Sequence, residues 1–264
     1  AGVVTVSNAI ALSGNHDQLT AALVTAGSLV VAATSVVTIN DADGVSMLAT
    51  ELSLIGGKTS GTVTATEAIV VTGTAAQITA ALVTGATKVE VTDAVATIGD
   101  ADGQTVVATV LSAIGAETTG TVTATEAIII TGSTEQATAA LVTGDTKVEV
   151  SDAAVTLNNA ASVADLNAIA AETTGVVTAT VTAGAFSALN ALSGTAADAL
   201  TLSMTDNSIT AANLNTLAGK TTVQLTSDSA LAVTGMNGLT IAKGFSNQVA
   251  TYTFADADDG ITIN

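Results

Sequence analysis

Thr62-Val63-Thr64-Ala65-Thr66-Glu67-Ala68-Ile69 recurs unchanged from Thr121 to Ile128, 59 residues later. From Thr62 to Ile98, 26 of 37 positions match their partners at Thr121 to Leu157. A more diverged copy precedes these two: Val4-Thr5 aligns with Val63-Thr64, and Ala9-Ile10 with Ala68-Ile69. A further copy begins at Val176-Val177-Thr178-Ala179-Thr180. Self-similarity at such periods is the mark of stacked repeat architectures.

Each long repeat splits into two related halves. The first half predicts strands over Thr62–Thr66 and Ile69–Thr72, then a short helix near Ala75–Val83. The second predicts strands over Lys88–Thr92 and Val95–Ile98, then a helix near Ala101–Ala116. In that helix Val106, Val107, Val110, Leu111 and Ile114 form one apolar stripe at helical spacing. Val163, Leu166 and Ile169, then Leu214 and Leu217, repeat the logic, with Gly120, Gly175 and Gly219 read as stop or turn signals. Beyond Val176 the unit shortens, with strands expected near Val176, Ala199, Val223 and Val249.

The expected fold class is therefore an α/β repeat: a right-handed solenoid of strand–strand–short helix units with parallel β-sheet in one or two long sheets. A parallel β-helix is the alternative. The reading is one solenoid over residues 1–264, with long repeats 3–61, 62–120 and 121–175 and shorter coils 176–222 and 223–264. A row of immunoglobulin-like sandwiches conflicts with the interleaved helical stripes.

Composition supports this reading and excludes several function classes. The 264 residues include 23 acids and five bases, all Lys, for a net charge of −18. There is no Cys, so disulfides and Cys-ligated metal are excluded. The scarcity of Lys and the lack of Arg argue against nucleic-acid binding. Yet 48% of residues are hydrophobic and the mean hydropathy is +0.60, which argues against disorder. Gln18 to Asn40 carries no charge. The matching stretch one repeat later holds Lys88, Glu90 and Asp93, so no membrane span is expected. No basic signal-peptide region precedes Val3.

Several phrases carry a resemblance: Gly73-Thr74-Ala75-Ala76, Gly194-Thr195-Ala196-Ala197-Asp198, Val163-Ala164-Asp165-Leu166-Asn167-Ala168-Ile169 and Ile209-Thr210-Ala211-Ala212-Asn213-Leu214-Asn215-Thr216-Leu217. They resemble the Thr/Ala/Val-rich repeats of giant secreted or cell-surface bacterial proteins, such as cyanobacterial motility-associated surface proteins and hemolysin-like adhesins. The resemblance implies an extracellular or cell-surface structural or adhesive role and no catalytic residues. The calcium-binding nonapeptide repeats common in such proteins are absent from this chain.

The most suggestive local motif is Asp41-Ala42-Asp43-Gly44, repeated as Asp100-Ala101-Asp102-Gly103 and as Asp256-Ala257-Asp258-Asp259-Gly260. Alternating carboxylates with a glycine turn can supply calcium ligands. The same Asp residues before an apolar helical run can instead cap a helix. The third repeat reads Asn158-Asn159-Ala160-Ala161-Ser162, which keeps capping side chains and loses the carboxylate pair, so it favours capping. Calcium is the only cofactor the motif suggests.

Other candidates read as surface. His16, the single His, could serve a catalytic triad with Asp17, but the next repeat has Ala75 at this position, so a cap or turn is expected. Glu67 and Glu126 are duplicated, as are Glu90 and Glu149, which are expected to pair with Lys88 and Lys147. Thr62/Thr64/Thr66 and Thr121/Thr123/Thr125 put hydroxyls on one strand face. An ice-binding face would need them in nearly every unit, whereas O-linked glycans are compatible with exposed Thr. No Asn-x-Ser/Thr sequon occurs. Phe245, Tyr252 and Phe254 suggest a local apolar plug, with Phe186 the remaining aromatic.

No catalytic constellation survives duplication, so the chain is not expected to be an enzyme. Val3-Val4-Thr5-Val6 and Ile261-Thr262-Ile263-Asn264 both read as strand. Unpaired parallel strands at both places would pair head to tail between copies and give an open filament.

Overall fold

A computed structural model describes residues 2–6, 8–193, 197–235 and 251–252 of the chain. It is a mixed α/β structure in which every described strand pairing is parallel. The strands run β1 Val4–Thr5, β2 Ala11–Gly14, β3 Val30–Val31, β4 Val36–Ile39, β5 Ser46–Leu48, β6 Val63–Ala65, β7 Val70–Gly73, β8 Val95–Ile98, β9 Thr105–Val107, β10 Val122–Ala124, β11 Ile129–Gly132 and β12 Val148–Glu149. They continue as β13 Ala154–Ala161, β14 Val177–Val181, β15 Ala199–Thr201, β16 Ser203–Met204, β17 Ser208–Thr210, β18 Thr226–Ser227, β19 Ala232–Thr234 and β20 Thr251–Tyr252. The helices are α1 His16–Leu19, α2 Ala49–Gly56, α3 Ala75–Ile78, α4 Ala108–Ala116, α5 Thr134–Ala137, α6 Val163–Ala171, α7 Phe186–Leu189 and α8 Ala211–Ala218. The chain divides into two compact units, Ala1–Ile129 with Ala139–Val150, and Ile130–Thr138 with Ser151–Asn264.

In the first unit the two halves of each repeat are built differently. The first half has two strands and a short capped helix. Asn15 and Thr74 each form a capping box with Gln18 and Gln77, which satisfies free N–H groups of α1 and α3. The pentapeptide Thr-Ala-Ala-Leu-Val then makes a π-helical turn at Thr20–Val24 and Thr79–Val83. Each turn closes on a bond from the amide of Thr25 or Thr84 to the carbonyl of Thr20 or Thr79.

The second half contains a strand that the helical stripe concealed. Val106 and Val107 belong to β9, not to the helix, and β5 is the same strand one repeat earlier. Apolar residues one apart fit a helix stripe on paper, but an alternating strand also buries one and exposes the other. Val106 is buried and Val107 exposed. The helix proper starts at Ala108 and buries Leu111 and Ile114, each contributing about 1.5–3 kcal/mol of burial. Conversely, the strand expected over Lys88–Thr92 shrinks to one bridge, Val63 to Val89, and to Val148–Glu149 one repeat later.

No sheet among the described residues exceeds five strands, so the expected one or two long sheets do not form. The register explains why. β8 pairs through Val95 with Val70 on one side and through Ala96 with Val122 on the other. It thus meets the second strand of one half-repeat and the first strand of the next. Each second half thus shifts the ladder sideways by one strand, and the sheets are cut short. The order β12-β10-β8-β7-β5 is one such staggered sheet, and β2-β4-β6 another. Inward positions Val37, Ile39, Val63, Val71, Ile98 and Val122 form the core against Leu52, Ile55, Leu111 and Ile114 of α2 and α4.

In the second unit β13, β14 and β15 pair in order, with Val155 beside Val177 and Thr180 beside Thr201. Helix α6 buries Leu166 and Ile169, and α8 buries Leu214 and Leu217, as their spacing predicts. The expected strand near Val223 begins at Thr226, and that near Val249 at Thr251. No helix among the described residues is long and apolar enough to cross a membrane. Gln18 to Asn40 instead forms part of α1, the π-turn, β3 and β4.

Candidate functional site

The Asp-Ala-Asp-Gly motif builds a joint between half-repeats. Asp41 accepts from the backbone amide of His16 at 2.8 Å through Oδ2. Asp100 accepts in the same way from Ala75 at 2.6 Å. In the second unit Asn159 Oδ1 accepts from the Thr134 amide at 2.7 Å and its hydroxyl at 2.9 Å. Asp206 holds the Phe186 amide at 2.6 Å. The amides served belong to the first residues of α1, α3, α5 and α7, where donors lack intrahelical partners. So the capping expectation is right in kind but not in target. The helix capped lies 25 residues before the cap in the first three cases, not after it.

The second carboxylate of each motif does something different. Asp43 and Asp102 are exposed and precede Gly44 and Gly103, whose φ values of 75° and 71° suit glycine. Those glycine amides reach on to the carbonyls of Ala68 and Ala127 at 2.8 and 2.9 Å. Among the described residues, no group of three or more His, Cys, Asp or Glu side chains is placed to hold a metal ion. Asp256 and Asp258 lie outside the described residues, as do Phe245, Phe254 and the strand expected at Ile261.

His16 is not joined to a nucleophile. Its Nδ1 lies 3.0 Å from Asp41 Oδ1 and its Nε2 3.6 Å from Asp17 Oδ1. It acts as the first residue of α1, clamped by the same carboxylate that caps the helix. These are the charge pairs found among the described residues, so the expected Lys88–Glu90 and Lys147–Glu149 pairs do not form. Lys88 and Lys147 take left-handed backbone at φ 54° and 52°, which takes them out of strand alternation with Glu90 and Glu149. In the second unit, hydrogen bonds from the Ser133 hydroxyl, the local backbone and Asn159 hold the exposed Glu135 carboxyl below the usual carboxylate range, Ser133 contributing most.

A second joint went unread in the sequence. Thr59, Thr118 and Thr173 each donate a hydroxyl bond to a carbonyl near the start of the same half-repeat, at Ser35, Ala94 and Ala153. Each hydroxyl also accepts from the amide two residues on, at Gly61, Gly120 and Gly175, at 2.9–3.0 Å. A Cβ on any of these glycines would overlap the same carbonyl. Gly120 and Gly175 are thus close-approach positions, and the helices have already ended at Glu117 and Glu172. The signal was present as Thr-x-Gly at matching repeat positions.

These joints leave two kinds of strand edge. Val63, Val122 and Val177 are buried because Val37, Ala96 and Val155 pair beside them. Val4 occupies the same repeat position, pairs among the described residues only with Val30, and is 60% exposed. Val3 and Ile10 beside it are exposed as well. No protein-family model, curated protein or solved structure matches the chain.

Proposed function

We propose that the chain is an extracellular structural repeat protein, a right-handed solenoid of stacked half-repeats that forms or belongs to a bacterial surface filament or layer by head-to-tail stacking. The observation that carries this reading is the exposure of Val4. Its repeat equivalents Val63, Val122 and Val177 each lie under a parallel strand of a preceding three-strand half-repeat. The strand that fits beside Val4 is thus defined in kind: a parallel strand with an inward Val or Ala, as in Val36–Ile39 or Val95–Ile98. A second copy supplies that strand in the head-to-tail arrangement, and a non-closing contact of this sort propagates. The thin, regular acidic coat and the Thr-rich strand faces suit an exposed position outside the cell, where O-linked glycans could be carried.

The test is sedimentation velocity and negative-stain imaging of residues 1–264 with and without Val4→Glu. The wild-type chain is expected to form end-to-end particles that lengthen with concentration. Val4→Glu is expected to remain a single particle with an unchanged melting temperature. A wild-type chain that stays monodisperse at high concentration, or a variant that assembles equally well, overturns the reading.

A further inference from the structure

We infer that the outer edge of β3 is a second, lateral self-association site, which takes the β5 edge of another copy of this chain. The contact goes beyond the end-to-end one at Val4 of β1 and involves different backbone groups.

The argument starts from an asymmetry between repeats. The strand positions equivalent to β3 carry Lys88 and Glu90 around the buried Val89, and Lys147 and Glu149 around the buried Val148. β12, the third-repeat strand, is the outermost strand of its sheet, where charged side chains block pairing with another chain. Among the described residues β3 is likewise an edge strand, paired only with β1. Yet it carries Leu29 and Val31 where the others carry Lys and Glu, and these are 37% and 47% exposed. A cavity of about 350 Å³ opens beside this edge, lined by Leu23, Val24, Val30, Val31, Ala32 and Lys58. Lys58 itself stands where the second and third repeats have Glu117 and Glu172. The first repeat has therefore lost both edge guards and reversed the charge at the rim.

The complementary surface is on the same chain. β5 is the outermost strand of the sheet β12-β10-β8-β7-β5, so no strand among the described residues lies on its far side. Ser46 and Leu48 are exposed, Leu48 by 51%. Asp43 precedes this strand and Glu51 follows it. An apolar edge with one Lys at its rim thus matches an apolar edge flanked by carboxylates, and strand addition supplies backbone hydrogen bonds to both. β3 and β5 are different edges of one half-repeat, so the contact is heterologous.

The chain has no Cys, which allows a direct test. Copies carrying Val31→Cys are mixed with copies carrying Leu48→Cys under mild oxidation, and cross-linked dimer is measured on denaturing gels. The mixed pair is expected to cross-link at least tenfold more than either variant alone. Adding Leu29→Lys to the Val31→Cys copy, the residue that the second repeat tolerates, is expected to abolish the excess. Glu90→Cys mixed with Leu48→Cys is expected to give none. Val4→Glu placed in both partners should leave the cross-link intact, which separates this contact from end-to-end stacking. Self-linking of Val31→Cys above the mixed yield, or no excess at any concentration, overturns the inference.

Discussion

The first and second long repeats share one template and differ in where it is left open. Both run strand, strand, capped helix, π-turn, then a half that ends in an uncapped helix and has three strands in the first repeat, two strands and the Val89 bridge in the second. Both hold the halves together with an Asp across 25 residues and close the second half on itself with a Thr-x-Gly clamp. The second repeat covers Val63 and guards its edge with Lys88 and Glu90, whereas the first exposes Val4 and presents Leu29 and Val31. The comparison teaches that the interior joints are set by the repeat, while exposed apolar strand residues such as Leu29 and Val31 stand where a repeat's sequence departs from it.

The comparison breaks first at the core if it is wrong. Ile55→Ala and Ile114→Ala empty equivalent, fully buried sites, so each is expected to cost about 2–5 kcal/mol. Urea unfolding should show losses that agree within the error of the method, and a large inequality would mean that the two repeats pack differently. Gly61→Ala and Gly120→Ala come next, at about 1–3 kcal/mol each, because the added methyl meets a carbonyl that cannot move without its strand. Thermal melts of both variants check this, and tolerance at either site would show that its clamp is loose.

The cap residues sharpen the comparison on a smaller scale. Asp100→Ala is expected to cost about 1 kcal/mol, while Asp100→Asn should be nearly silent, since Asn159 does the same work in the third repeat. Asp41→Ala should cost more than Asp100→Ala, because it also frees the His16 ring. Chelator is expected to leave the melting temperature unchanged, since Asp41 and Asp100 already spend oxygens on helix amides. The smallest effect is at Glu135. Its carboxyl is held below the usual range, so its contribution is present above the ordinary Glu range and fades as pH falls through the lowered folded value. Glu135→Gln should remove that small acid-side slope in a pH series of melting temperatures.

The sequence was most legible where one residue type admits one geometry. The box residues Thr74 and Gln77, the β8 boundaries Val95–Ile98 and the buried stripe Leu166 and Ile169 all follow from local rules. β5 and β9 were hidden because Val106 and Val107 satisfy a helix stripe and a strand end equally well over so short a run. The target of the Asp41 and Asp100 caps was hidden for another reason. A carboxylate's partner is chosen by which amide lies beside it, and that amide is 25 residues away in sequence.

The sequence by itself determined the period, the parallel β/α composition of each repeat, the buried stripes of α6 and α8 and the absence of disulfide chemistry. Local sterics and spacing suffice for these. Only the tertiary structure decided the sideways step at β8, the Thr-x-Gly approach to a neighbouring carbonyl, and which strand edges stand uncovered. Those depend on which segments are brought side by side, and a parallel strand takes its neighbour from about 25 residues away by register and burial, not by sequence adjacency.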